Sequence, residues 1–177
     1  MPISLIAVQS VNGFITRNDE PGTAFASAED LAWFKETLGR MDLVLMGGST
    51  YRAAREAIIK GAEVGTPRWV LTRDPEAYVA DRIPGKLEFF NLDEGTLFEG
   101  ILDGGYDEIA LVGGPGISSW FFDQGLLNDI YLTVEPFIFS SGTPLAAPSA
   151  NVDLVLQSVK QLSEQTLIIH YRVRQKL

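Results

Sequence analysis

The stretch Asp107 to Phe122, DEIALVGGPGISSWFF, constrains the fold more than any other part of the chain. Ile109 to Val112 is a short apolar run with β-branched residues, bounded by glycine, and predicts a buried strand. Gly113, Gly114 and Gly116 permit a sharp turn with no side chains in the way. Ile117 to Gln124 then predicts a helix. A helix that starts on such a turn aims free N–H groups and the positive end of its dipole at one spot, which suits phosphate or another anion. The spacing matches neither the dinucleotide fingerprint nor the P-loop, so a plain strand-to-helix turn explains the stretch equally well.

The pattern recurs along the chain. Leu43 to Met46 is a second buried strand, and Gly47-Gly48-Ser49-Thr50 leads into a helix expected from Tyr51 to about Lys60. Arg68 to Thr72 is a third strand, closed by Arg73-Asp74-Pro75. Lys86 to Asn91 is a fourth, followed by a helix over Glu94 to Leu102 and a break at Gly104-Gly105. At the N-terminus, Ile3 to Gln9 is a strand, Asn12-Gly13 a turn, and Thr16 to Thr23 a polar loop expected to be mobile. Ser27 to Asp30 opens a helix as a capping box, with Leu31, Phe34 and Leu38 on one face and Gly39 at its end. Near the C-terminus, Asn128 to Phe139 is a long strand whose Pro136 predicts an edge or a bulge. Val152 to Gln161 and Gln165 to Val173 predict a closing hairpin. This order predicts an α/β fold with a mostly parallel sheet and antiparallel C-terminal strands, one domain over residues 1–177.

Composition narrows the function. With no cysteine, disulfides and thiolate metal sites are excluded, no metal site is expected, and a reducing, cytoplasmic setting fits. A net charge of −9 opposes nucleic acid and anionic membrane surfaces as partners. No apolar run approaches the roughly 18 residues of a membrane span. His170, the one histidine, alternates within a strand, which favours a structural role and argues against a histidine-based triad.

Ligands of open α/β sheets bind at the carboxyl ends of strands, where Gly47–Thr50, Thr72–Arg73 and Gly113–Gly116 are expected. Arg73 either pairs with a phosphate in a bidentate way or is a surface arginine beside Asp74. Asp30 either orients and protonates a polar heterocycle or completes the cap with Ser27. Phe34, one turn on, either stacks on a ring or fills the core.

These residues carry a resemblance. Ile3 to Ala7, Asp30-Leu31-Ala32-Trp33-Phe34-Lys35, Leu45-Met46-Gly47, Thr50, Val112-Gly113-Gly114 and Tyr131-Leu132-Thr133 resemble dihydrofolate reductase. Ser10 to Ile15, Ser27 to Asp30, Gly113 to Gly116, Pro136 to Leu145 and the closing Tyr171-Arg172-Val173 resemble the reductase domain of the bifunctional riboflavin-pathway deaminase–reductase. This second likeness spans nearly the whole chain. The resemblance implies a dihydrofolate-reductase-like, three-layer α/β/α fold and an NADPH-dependent hydride transfer to a small heterocyclic or carbonyl substrate. By matched position, Ala7 and Ile15 line the nicotinamide pocket. Gly47, Ser49 and Thr50 meet the pyrophosphate from one side, and Gly113, Gly114, Gly116 and Ile117 from the other. Thr72 and Arg73 meet the adenosine 2′-phosphate. Asp30 takes the catalytic carboxylate position, Thr133 its partner hydroxyl, and Phe34 the substrate-ring contact. A homodimer is also implied, with the Tyr131 to Phe139 strand at its interface.

The chain departs from the folate enzymes at three places. Gly48 replaces a basic residue, the loop Arg17 to Ala26 lacks a Pro-Trp pair, and Thr66 stands where an arginine holds the folate tail, with Arg68 two residues off. Three readings therefore stay open: a reductase of this superfamily on another substrate, a true dihydrofolate reductase, and a nucleotide-binding protein without catalysis.

Overall fold

The computed structural model describes residues 2–92 and 96–174. One eight-stranded sheet holds β1 (Ile3–Ser10), β2 (Leu43–Gly47), β3 (Arg68–Leu71), β4 (Leu87–Phe90), β5 (Ile109–Val112), β6 (Asp129–Glu135), β7 (Leu154–Gln161) and β8 (Leu167–Val173), in the order β4-β3-β2-β5-β1-β6-β8-β7. β8 runs antiparallel to both its neighbours, and the other pairings are parallel. The helices are α1 (Ala28–Leu38), α2 (Gly48–Ala53), α3 (Arg55–Val64), α4 (Thr96–Asp103) and α5 (Pro115–Asp123), with a short 3-10 helix at Glu76–Asp81.

The apolar runs become strands because both faces of the sheet centre are covered. Successive strand side chains point to opposite faces. Leu5, Leu45 and Leu111 pack with Leu97 and Ile101 of α4 and with Ile117 and Phe121 of α5. Ile6, Val44, Met46 and Ala110 pack on the other side with Trp33 and Leu38 of α1, Tyr51 of α2 and Ile58 of α3. The result is the expected three-layer α/β/α fold with a mostly parallel sheet.

Several local expectations are corrected. The helix expected from Tyr51 to Lys60 is two helices, because Ala54 turns out of the helical region at φ −133° and ψ 29°. The turn carries Arg55 onto Asp81, whose carboxylate also accepts a 2.7 Å bond from the Tyr51 hydroxyl. On α1, Leu31 is 48% exposed and leaves the buried face, which instead runs through Asp30, Phe34 and Leu38. Reading apolar residues alone rotated that face, since its first member is an aspartate. Pro136 marks neither an edge nor a bulge. β6 lies inside the sheet between β1 and β8 and ends at Glu135, before the proline. The loop after β1 is tied down over its first half, with Asn18 N–H donating to Ser141 O at 3.1 Å and Thr143 N–H to Thr16 Oγ1 at 2.9 Å. The start expected for α4, at Glu94, lies outside the described residues. His170 sits 2.7 Å from Asp129 Oδ1 and stacks on Tyr131, a structural setting. Among the described residues no helix is long and apolar enough to cross a membrane.

Candidate functional site

The connections create a crevice. The chain leaves β1 for β2 through α1 on one face, and leaves β5 for β6 through α5 on the other. Between adjacent β5 and β1 the connections therefore diverge, which opens the crevice where such sheets bind ligands. Because these strands are parallel, the carboxyl ends of β3, β2, β5, β1 and β6 lie in a row along one edge. Four interstrand steps make that row roughly 19 Å long.

Two glycine turns occupy its middle. Gly113 has φ 151°, and a Cβ there would stand 3.0 Å from Ile117 Cγ2 and 3.1 Å from Thr50 Oγ1. A Cβ on Gly47 would stand 3.5 Å from Ile117. The structure thus brings Gly47, Thr50, Gly113 and Ile117 together, with the β2 and β5 turns packed side by side. Gly114 and Gly116 face open space. Gly114 caps α5 without a side-chain hydrogen bond, so first-turn N–H groups remain for a ligand or water.

At the β3 end, a Cβ on Gly48 would lie 3.3 Å from Arg52 Nη1 and 3.4 Å from Thr72 Oγ1. Arg52 also donates from Nη2 to Ser49 Oγ at 3.1 Å. Arg73 is exposed beside Thr72. Sequence reasoning assigned Ser49, Thr72 and Arg73 but missed Arg52. The signal was its place one helical turn after Gly48, on the same face.

The β1–β6 end is built from buried polar groups. Tyr131 packs on Trp33 of α1, and Glu135 accepts a 2.8 Å bond from the Ser27 N–H. Thr133 lies between them on the same strand face, opposite Asp30 in the first turn of α1. Asp30 is 6% exposed, Glu135 2% and Thr133 0%. Ser27 Oγ accepts from the Asp30 N–H at 3.2 Å, one arm of the expected capping box. The return arm comes from Glu135, not from Asp30. The Asp30 carboxyl is therefore left to face Thr133. Burial pushes that carboxyl above its ordinary value, the Thr133 hydroxyl pulls it partly back, and the Glu135 charge pushes it up again. The Thr133 hydroxyl is near enough to favour the charged form but lacks full hydrogen-bond geometry, so its oxygen is a buried acceptor without a partner. Glu135 also accepts from the Thr166 hydroxyl at 3.0 Å, which completes the network.

The remaining expected residues are less central. Phe34 is half-buried against the core cluster beside α1. Ile15 is buried, with its N–H donating to Thr143 O at 2.8 Å. Ala7 alternates with Ile3 and Leu5, so its side chain points to the α5 face, opposite Asp30. Its backbone is what it can offer the crevice.

Residues 3–168 match the model of the RibD C-terminal domain family. The chain belongs to that family. No curated protein sequence matches it. Among solved structures it is similar to the diaminohydroxyphosphoribosylaminopyrimidine deaminase/5-amino-6-(5-phosphoribosylamino)uracil reductase of Thermotoga maritima, with 14% identity and a TM-score of 0.76 over 98% of this chain and 56% of that one. It thus spans little more than half of that bifunctional protein. It is similar to the riboflavin biosynthesis reductase Rib7 of Saccharomyces cerevisiae, with 16% identity and a TM-score of 0.69 over 98% and 90% of the two chains. Dihydrofolate reductase from Enterococcus faecalis, solved with NADP(H), gives 17% identity and a TM-score of 0.63 over 97% and 96%. At these identities the likeness establishes the fold. Within this RibD C-terminal domain, Thr66 donates to Leu38 O at 2.9 Å at the end of α1. Arg68 is lodged against Gly61, where its Nε has no partner and burial lowers its proton affinity.

Proposed function

We propose that this chain is a single-domain, NADPH-dependent reductase that passes hydride to a small heterocyclic or carbonyl substrate. The observation that carries the reading is the buried Asp30–Thr133 pair, two strands from an open glycine turn on one sheet edge. Gly47, Ser49 and Thr50, with Gly113, Gly114, Gly116 and Ile117, would hold the pyrophosphate. Thr72 and Arg73 would meet the adenosine 2′-phosphate, and Ala7 and Ile15 would border the nicotinamide. When bound, the cofactor supplies hydride.

The chain's own residues then orient the acceptor and manage a proton. Burial lifts the proton affinity of Asp30 toward the range useful to a general acid. The unfilled Thr133 oxygen and the Asp30 carboxyl together present a donor and acceptors to one polar edge of a substrate. Phe34 offers a ring face one helical turn away. Alignment of the reacting atoms supplies much of the rate in such a site.

Fluorescence titration with NADPH tests the cofactor reading, and a panel of heterocyclic and carbonyl acceptors follows. Absence of NADPH binding would leave a scaffold role. Asp30→Asn is expected to lower turnover by about 100-fold or more; unchanged turnover would remove Asp30 from the mechanism. A true dihydrofolate reductase is the second reading, favoured by the Asp30–Thr133 pair. The engagement of Thr66 and the lodging of Arg68 weigh against a folate tail. Oxidation of NADPH with dihydrofolate separates the two.

In this reading the enzyme is cytoplasmic, acts on a small-molecule substrate and works as a homodimer. Its seat is moved from β6, an interior strand, to the outer strand β7, which is exposed along its length and carries Leu154, Val155, Leu156 and Val159.

A further inference from the structure

We propose that Arg52 is the residue by which this chain selects a dinucleotide phosphorylated on its adenosine ribose over the unphosphorylated form. The inference rests on the cofactor reading above and adds the group that sets its specificity.

The chain carries a net charge of −9, and four of its nine arginines are paired with a carboxylate. Arg40 faces Glu36, Arg55 faces Asp81, Arg82 faces Glu88 and Arg172 faces Asp129. Arg52 faces no carboxylate among the described residues. Two neutral oxygens hold its guanidinium: Ser49 Oγ, 3.1 Å from Nη2, and the Tyr78 hydroxyl, 3.1 Å from Nη1. Tyr78 is itself fixed, stacked on Phe89 at 5.2 Å and edge-on to Tyr51 at 5.5 Å. The guanidinium is therefore oriented but its charge is uncompensated. An arginine placed in that way is prepared for an anion that supplies its own oxygens.

The geometry also brings a second donor close to the guanidinium. The point a Cβ would occupy on Gly48 is 3.3 Å from Arg52 Nη1 and 3.4 Å from Thr72 Oγ1. The guanidinium and the hydroxyl thus both pack over Gly48, in the space that a side chain there would take. The nearby acids are committed elsewhere. Asp74 Oδ1 accepts from the Ala77 N–H at 3.3 Å, and Asp81 is held by Tyr51 and Arg55. A phosphate monoester fits this arrangement, since its oxygens accept from the guanidinium and from the Thr72 hydroxyl at once. A bare ribose hydroxyl would leave the guanidinium charge unmatched.

The test is fluorescence titration of the intact chain with NADPH and separately with NADH, for the wild type and for Arg52→Gln, Arg52→Lys and Tyr78→Phe. Because Arg52 is exposed, the variants are expected to keep the wild-type thermal melt. Arg52→Gln is expected to weaken NADPH roughly 10- to 100-fold while NADH stays within about twofold. Arg52→Lys should retain part of the preference, and Tyr78→Phe should lose a smaller part of it. Unchanged NADPH affinity in Arg52→Gln, or equal loss for both dinucleotides, overturns the role of Arg52 and leaves the cofactor reading intact. A wild type that binds the two equally well also overturns it. A wild type that binds neither removes the cofactor reading and this inference together.

Discussion

At the β2–β5 end of the crevice the site is made of missing side chains, and at the β1–β6 end it is made of buried polar ones. Gly47, Gly48 and Gly113 let the turns and their neighbours pack closely, while Gly114 and Gly116 face open space at the start of α5, where no side chain caps the helix. Asp30, Thr133, Glu135, Ser27 and Thr166 instead fill their region, and nearly every donor there has a named acceptor. The first end has no ready room for an added atom at Gly113, where its two turns meet. The second tolerates no lost partner, since burial makes an unpaired polar group costly. A ligand with a phosphate-bearing part and a reacting heterocycle would need both kinds of construction on one edge.

The sharpest way to break the first end is Gly113→Val. Its backbone lies in the left-handed region and its Cβ would meet Ile117 and Thr50, so we expect a loss of about 3 kcal/mol in urea unfolding and loss of NADPH binding. Gly114→Ala is the matched control, because nothing lies within 4 Å of its Cβ and its φ is −83°. It should change stability by no more than about 0.5 kcal/mol.

At the second end, Glu135→Leu strands the Ser27 N–H and the Thr166 hydroxyl, and should cost about 2 kcal/mol in the same measurement. Asp30→Asn should act in the opposite direction on stability. The folded state holds the Asp30 proton more tightly than the unfolded chain does. Stability from that proton is full in acid and is lost as pH rises from about 3.8 through the raised folded value. The variant should therefore be more stable than the wild type at neutral pH, with the difference vanishing as the pH is lowered. A constant difference at all pH values would mean that the Asp30 charge is not the cause.

The smallest effect on stability is expected far from the crevice. Leu156→Lys with Val159→Lys on exposed β7 should change the melt by no more than about 0.5 kcal/mol in a monomer. Light scattering should report a mass falling to that of one chain, if two copies pair along this edge. An unchanged mass would move any interface elsewhere.

The glycine turns and the central strands were legible because their signals are local. Four consecutive apolar residues followed by glycines leave little choice, and Leu43 to Met46 and Ile109 to Val112 are strands as expected. The faces of α1 and the fate of Pro136 were not legible in the same way. Leu31 has the right spacing to be buried, but α1 docks by the stripe that begins at Asp30. Pro136 follows a strand that ends one residue earlier, which the alternation of apolar residues does not mark. Arg52 escaped notice because its meaning depends on Tyr78 and Thr72, each 20 or more residues away in sequence.

By itself the sequence determined the α/β class, the order of strands and turns, and the places where backbone N–H groups would be free, because these follow from hydrophobic periodicity and from glycine within a few residues. Tertiary structure decided whether Asp30 is a cap or a free carboxyl. The decision was made by Glu135, a residue 105 positions later, whose Oε1 takes the Ser27 N–H at 2.8 Å and so releases the aspartate side chain toward Thr133. A capping signal states only that an N–H needs an acceptor. Which of two carboxylates supplies it depends on distance in the folded chain.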